Sequence, residues 1–104
     1  MPKGYWIARI TVDDAERYKL YLRDNGPVFA KHGARFVVRA GRFEAPEGTP
    51  RDRNVVIEFP SYEAACNCYH STEYQELARL RQTASHGDVI IIEGYDPPGG
   101  ATGS

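Results

Sequence analysis

Tyrosine is the residue type in this sequence that most suggests chemistry. Seven of the 104 residues are Tyr, against a single Trp and a single Met. A tyrosine ring is apolar, but its hydroxyl needs a hydrogen-bond partner when it is buried. A group of buried tyrosines therefore indicates either packing at the edge of a core or a cavity with hydroxyl groups on its wall.

The cysteines and histidines show no spacing typical of a metal site. Cys66 and Cys68 are two positions apart in a predicted helix and point to different faces, so we expect free thiols, with Cys66 in the core and Cys68 nearer the surface. His32, His70 and His86 each lie at or beside a predicted helix end, where a cationic ring is favoured at the C-terminus. Of the three histidines, His70 is the best candidate to face a bound cofactor. The sequence predicts no metal and no cofactor.

Other motif classes are missing from the sequence. It contains no glycine-rich phosphate loop and no Gly-x-Ser-x-Gly elbow, so nucleotide-dependent and serine-hydrolase chemistry are not expected. Thirteen basic and fourteen acidic residues give a net charge of −1, which does not favour nucleic acid or anionic membranes. No apolar run approaches the roughly 20 residues of a membrane helix, and the N-terminus lacks a secretion signal. We expect a cytoplasmic protein.

Hydrophobic alternation and capping residues predict four strands and two helical segments. Asp13 and Glu16 fit a capping box for the first helix, with a kink or a break near Gly26-Pro27 and an end at Gly33. Ser61 begins the second helical segment, which is interrupted at His70-Ser71 and restarts with a second capping box at Thr72. The strands are predicted over residues 4–12, 35–42, 53–59 and 88–95, and an exposed loop over 44–52.

The order of these elements is β-α-β-β-α-β, which is the ferredoxin-like arrangement. It predicts an α+β domain over residues 1–96, with a four-stranded antiparallel sheet and helices on one face. Residues 97–104 form a Pro- and Gly-rich tail that we expect to be held by contacts.

Strand alternation predicts which side chains lie on the uncovered face of the sheet. Five aliphatic residues on that face form a patch larger than an open surface normally carries, and we expect a homodimer packed sheet to sheet through it. The predicted patch is Ile7, Val37, Val56, Val89 and Ile91. Arg39 is expected to pair with Glu58 there. RNA recognition motifs share the topology but need aromatic residues on this face of the third strand, where Asn54, Val56 and Glu58 stand instead.

Five stretches of the sequence match the pattern of a known family: residues 4–9, 30–41, 53–61, 69–75 and 89–94. Together they resemble the domain-of-unknown-function family 1330, a branch of the dimeric α+β barrel superfamily. The resemblance covers residues 3–95 and implies a ferredoxin-like subunit that dimerises through its sheet, with no assigned activity. The sequence departs from the family pattern at Cys68, where Trp is usual, and at His70, where Asp or Asn is usual.

Relatives in the wider superfamily include cofactor-independent monooxygenases, lactone isomerases and haem-binding enzymes, whose ligands often lie between sheet and helices. Aromatic walls with one Arg would suit a small aromatic or apolar acid. The residues predicted to line such a pocket are Trp6, Tyr18, Phe36, Phe59, Tyr69, Tyr74 and Arg81.

The alternative is that these aromatic residues only pack the core, with Arg81 paired to a carboxylate or extended to solvent. Three functions stay open: a homodimeric binder of a small acid, a cofactor-independent monooxygenase or isomerase, and a structural or stress-response dimer without a ligand. Tyr69 and Tyr74, on either side of Ser71, are the most credible pocket residues.

Overall fold

The computed structural model describes residues 1–98, and it has the predicted α+β architecture. Residues 99–104 of the predicted tail lie outside the described residues. The elements, in chain order, are β1 (Gly4–Val12), α1 (Ala15–Lys31), β2 (Arg35–Arg39), β3 (Arg53–Phe59), α2 (Tyr62–His70), α3 (Thr72–Ala84) and β4 (Ser85–Glu93).

The four strands form one antiparallel sheet in the order β2-β3-β1-β4. The two central strands are therefore the first and third of the chain, as the ferredoxin-like arrangement requires. The helices cover one face of the sheet, and the other face is left open.

The helix starts follow the predicted chemistry with shifts of at most one residue. Asp14, not Asp13, is the N-cap of α1, and its carboxylate accepts a hydrogen bond from the Arg17 N–H at 3.1 Å. Ser71, not Thr72, caps α3: its Oγ accepts from the Tyr74 N–H at 3.2 Å and donates to the Cys68 carbonyl at 2.7 Å. One hydroxyl thus ends α2 and begins α3, which explains the predicted interruption.

Of the predicted kink or break in α1, the break is wrong, because the helix runs without interruption from Ala15 to Lys31. Gly26 and Pro27 both lie on its exposed side, where the missing backbone donor of proline costs least. Gly33, at φ 73°, follows the end of the helix as predicted, and its N–H donates to the Ala30 carbonyl at 3.1 Å.

The two faces of β4 are the reverse of the prediction. Ile91 stands opposite Trp6 and Val89 opposite Ala8, so both face the helices. Ile90 and Ile92 are on the open face instead, 51% and 46% exposed. The four residues from 89 to 92 are all apolar, so alternation could not distinguish the faces.

A β-bulge changes the faces of β2 as well. The register shifts between Phe36 and Val38, which places Val38 opposite Val56 on the open face. Arg39 leaves that face, and its guanidinium carbon lies 4.1 Å from the Phe36 ring centroid. The predicted pair of Arg39 with Glu58 is therefore wrong, and Arg35 makes that ion pair at 2.9 Å.

The core between sheet and helices is aromatic. The Trp6 ring lies 4.8 Å from Tyr74, 5.2 Å from Phe29 and 5.3 Å from Phe59, centroid to centroid. Cys68 is fully buried, and burial raises the pKa of its thiol to about 12. Cys66 is only half-buried, so the predicted placement of the two cysteines is reversed.

Glycine is required where β4 approaches β1. A Cβ on Gly87 would overlap the Arg9 carbonyl oxygen, whereas a Cβ on Gly26 would meet nothing. We expect Gly87→Ala to lower the free energy of unfolding by about 2 kcal/mol or more, because the paired strands must separate. Gly26→Ala, the control in α1, should raise it by about 0.5–1 kcal/mol. Urea unfolding measures both, and equal effects would contradict the strand register.

Candidate functional site

Arg81, on α3, is the buried charge around which the candidate site is built. Its side chain is 7% exposed, and its Nε has no hydrogen-bond partner. None of the ion pairs formed by residues 1–98 includes it. Arg81 therefore neither pairs with a carboxylate nor extends into solvent, which are the two ordinary ways to accommodate a guanidinium in a core.

Tyrosine hydroxyls surround this guanidinium group instead. The Tyr21 and Tyr74 hydroxyl oxygens are hydrogen-bonded at 2.8 Å, and the Arg81 guanidinium carbon lies 6.0 Å from the Tyr21 ring centroid. Either hydroxyl can be the donor in this pair.

The protonation states follow from burial. Burial raises the pKa of Tyr21 well above 10.0, and the neighbouring Tyr74 raises it further. Burial also raises the pKa of Tyr74, although Arg81 opposes this. Burial acts to lower the pKa of Arg81, but the two tyrosines outweigh it and the net pKa is raised. At neutral pH the cluster is one cation beside two neutral hydroxyls.

A small cavity lies between α1 and the sheet, next to Arg81. Its volume is about 30 Å³, enough for one or two water molecules. Five of the seven predicted pocket residues line it: Trp6, Tyr18, Phe36, Tyr74 and Arg81. Phe59 does not, because it is fully buried against Trp6.

Tyr69 lines a second space, an open cleft of about 410 Å³ at the β4 edge of the helical layer. Arg81 and Val89 border both the cleft and the cavity, so these two side chains separate them. The other residues around the cleft are Gln82, Ser85, His86 and Gly87.

Three of the cavity residues that the sequence did not predict carry polar groups: Tyr21, Asn25 and Arg53. Asn25, only 3% exposed, lies one turn after Tyr21 and one turn before Phe29, so its helical spacing could have revealed it. Arg53 alternates with Val55 and Ile57 on the face towards the helices, a signal that was also available. Tyr21 was placed only beside the stripe, but its hydroxyl lies at the centre of the site.

The histidines lie apart from the cavity. His70 is exposed, with its ring 5.3 Å from that of Tyr69. His86 Nδ1 lies 2.9 Å from an Asp13 carboxylate oxygen. Asp13 therefore contacts His86 instead of capping α1. Within residues 1–98, no three His, Cys, Asp or Glu side chains cluster as a metal site would require.

The order and pairing of the strands, with the helices on one face, define a ferredoxin-like α+β protein. Over residues 3–95 the chain matches the family described as domain of unknown function (DUF1330), and it belongs to that family. No curated protein sequence matches it.

Solved structures share the fold. A protein of unknown function from Rhodopseudomonas palustris, RPA0582, is 25% identical, with a TM-score of 0.73 over 92% of this chain and 85% of that chain. SnoaB, a cofactor-independent oxygenase from Streptomyces nogalater, is 13% identical, with a TM-score of 0.65 over 95% of this chain and 99% of its own. At that identity SnoaB shows the fold alone. Each helix in the part of the chain described here is too short or too polar to cross a membrane.

Because the pKa of Tyr21 is raised in the folded protein, the free energy of unfolding depends on pH in the alkaline range. The unfolded chain loses this proton near pH 10, whereas the folded chain retains it, so stability is fully present below about pH 10 and falls as the pH rises further. Urea unfolding between about pH 8.5 and 10.5 should show this fall, and Tyr21→Phe should make it shallower. The exposed Tyr95→Phe variant is the control, and a slope unchanged in Tyr21→Phe would contradict the placement of Tyr21.

Proposed function

We propose that this protein binds a small aromatic or apolar acid, whose carboxylate pairs with Arg81. The observation that carries the proposal is a buried guanidinium group with no carboxylate partner among residues 1–98. Burying a charge costs several kcal/mol unless it is paired, and a planar guanidinium matches a carboxylate with two parallel hydrogen bonds. A bound acid would supply the missing partner.

The cleft is the route by which the acid reaches Arg81. A ligand-sized pocket is typically about 300–1,000 Å³, so the cleft of about 410 Å³ is large enough and the cavity of about 30 Å³ is not. Tyr69 provides an aromatic surface in the cleft, and Val89 an apolar one. The predicted pocket residues therefore fall into two groups. Tyr69 contacts the body of the ligand in the cleft, and Tyr74 lies on the cavity side of Arg81.

An enzyme of the isomerase type is the second candidate, favoured by one observation. His86, held by Asp13 at Nδ1 with 2.9 Å between the atoms, also borders the cleft. An imidazole fixed in this way keeps Nε2 available for proton transfer. The tyrosines of the cluster are less suitable bases, because Tyr21 and Tyr74 stay protonated at neutral pH. The cofactor-independent oxygenase alternative has only the shared fold of SnoaB in its favour.

We also propose a homodimer formed through the open face of the sheet, in the cytoplasm. The register places five aliphatic side chains on this face: the exposed Val38, Ile90 and Ile92, and the half-buried Ile7 and Val56. Val37, the unpaired residue of the bulge, is exposed beside Val38. A continuous apolar patch of this kind normally contacts a partner. Glu58 is already paired with Arg35, which lowers the pKa of the Glu58 carboxyl group, so Glu58 can enter an interface as part of an ion pair.

The free thiols of Cys66 and Cys68 fit a reducing compartment such as the cytoplasm.

Thermal shift with benzoate and salicylate tests the binding proposal. Both acids should raise the midpoint of the wild-type protein, since a ligand bound only to the folded state stabilises it. Arg81→Ala should abolish the rise, and Arg81→Lys should retain part of it because the charge remains. Arg79→Ala, an exposed position on the same helix, is the matched control and should respond as wild type.

No rise in the wild-type midpoint would favour the structural dimer without a ligand. An equal rise in Arg81→Ala would place the ligand elsewhere. Turnover of a bound acid that is lost in His86→Gln, with binding retained, would favour the isomerase.

Light scattering after gel filtration tests the dimer. The wild-type protein should elute with twice the mass of one chain at micromolar concentration. Ile90→Lys should give a monomer, because a desolvated ammonium group would lie within the apolar patch. Leu20→Lys, a similarly exposed position on the outer side of α1, should remain dimeric. A monomeric wild-type protein would overturn the proposed interface.

A further inference from the structure

The connection between β2 and β3, residues 40–52, is long and contains no regular secondary structure. We call it the β2–β3 arm. Residues 41–50 of the arm are all exposed, and Phe43 among them is 49% exposed. Connections of more than about 12 residues without secondary structure are uncommon in compact domains and usually have a function. The arm is therefore a candidate interaction element.

The second half of the arm is attached to the open face of the sheet. Arg9 donates a hydrogen bond from Nη2 to the Thr49 carbonyl at 2.6 Å. Arg51 donates to the Thr11 hydroxyl at 3.3 Å and forms an ion pair with Asp88 at 3.4 Å. Arg9 and Thr11 alternate with the β1 residues that face the helices, and Asp88 stands opposite Arg9, so all three lie on the open face. The arm therefore lies on the same side of the sheet as the aliphatic patch of the proposed dimer.

Phe43 has no aromatic partner in the part of the chain that the structure describes, and it lies outside the buried core. Its side chain borders a cleft of about 350 Å³ between the arm and the sheet, which Arg9 and Asn54 of the open face also line. Aromatic side chains stabilise most when they are buried, and they are enriched at protein interfaces. The arm thus presents an apolar group that its own chain leaves half exposed.

The charged side chains of the arm are of both signs. Arg42, Glu44 and Glu47 are exposed, and no ion pair within residues 1–98 includes them or Arg9. A two-fold interface brings the same surface of two copies together, so opposite charges on one surface can pair across it. A nucleic acid or an acidic peptide would instead select for basic residues alone. The charges of the arm therefore fit a second copy of this chain.

We infer that the β2–β3 arm contacts a second copy of this chain, with Phe43 as the anchor of that contact. This inference rests on the proposed homodimer and adds a contact region outside the aliphatic patch. A second copy packed sheet to sheet approaches from the side on which the arm lies. By two-fold symmetry each arm then packs against the other copy, and Phe43 becomes buried. The contacts of Thr49 and Arg51 hold the arm in place before association, which lowers the entropic cost of binding.

Sedimentation velocity of fluorescently labelled protein, over a dilution series from micromolar to nanomolar concentration, measures the Kd of the dimer. Phe43→Ala should raise this Kd at least about tenfold, because truncation of an aromatic anchor weakens an interface by that order. Tyr62→Ala is the matched control. Tyr62 is 38% exposed but lies on α2, on the other face of the sheet, so its loss should leave the Kd within about twofold of wild type. Circular dichroism establishes that both variants are folded.

Fluorescence of Phe43→Trp measures whether the arm is buried in the dimer. An indole ring that leaves water emits at a shorter wavelength, whereas Trp6, only 2% exposed, contributes a constant background. At micromolar concentration, Phe43→Trp should emit at a shorter wavelength than the double variant Phe43→Trp/Ile90→Lys, in which the proposed interface is disrupted.

The outcomes separate the two proposals. If wild-type protein is a monomer throughout the dilution series, the proposed dimer fails and the inference with it. If wild-type protein is a dimer but Phe43→Ala dimerises as tightly, or if the two Trp variants emit at the same wavelength, the arm contact is wrong. The dimer through the open face then stands, provided that Ile90→Lys is monomeric.

Discussion

The packing of Trp6 is the constraint on which the rest of the structure depends. Its ring contacts one aromatic residue from each helix, Phe29 of α1, Tyr69 of α2 and Tyr74 of α3. Its indole N–H donates to the Ala65 carbonyl of α2 at 2.8 Å, which satisfies the one polar atom of the side chain. A single side chain of the central strand β1 thus sets the distances of all three helices from the sheet.

This arrangement fills one end of the helical layer and leaves the other end underfilled. Aromatic rings pack closely around Trp6, whereas beyond Tyr74 the layer contains hydroxyl groups, an amide and Arg81. Neutral hydroxyls satisfy a guanidinium only in part, because they offer no opposite charge. No carboxylate among residues 1–98 neutralises Arg81, and in the proposed function a bound acid does so. Such a local conflict with good packing is typical of functional sites.

Much of the fold could be predicted from the sequence because its signals are local. Alternation in β1 and β3 placed Trp6 and Phe59 on the covered face, and Ser61 marked the start of α2. The start of α3 was predicted one residue late, at Thr72 instead of Ser71. The faces of β4 could not be predicted, since Ile90 and Ile91 are equally apolar and only pairing with β1 distinguishes them. The bulge in β2 has no local signal either, which is why Val38 and Arg39 exchanged faces.

Part of the residues that form the candidate site could be predicted from the sequence, but the balance of charges among them could not. Helical spacing brought Tyr74 and Arg81 to one face of α3, and both line the cavity. Whether a carboxylate reaches Arg81 depends on every element packed against it, which no spacing rule contains. The division between a small cavity and an open cleft depends in the same way on how Arg81 and Val89 pack.

The most direct measurement of the central claim is the NMR signal of the Arg81 Nε–H, which has no acceptor in the free protein. Saturation with benzoate should shift this signal downfield and slow its exchange with solvent, because the carboxylate becomes its hydrogen-bond acceptor. The Nε–H signal of the exposed Arg79 should not change. An unchanged Arg81 signal in the presence of saturating benzoate would contradict the claim that this buried guanidinium binds the acid.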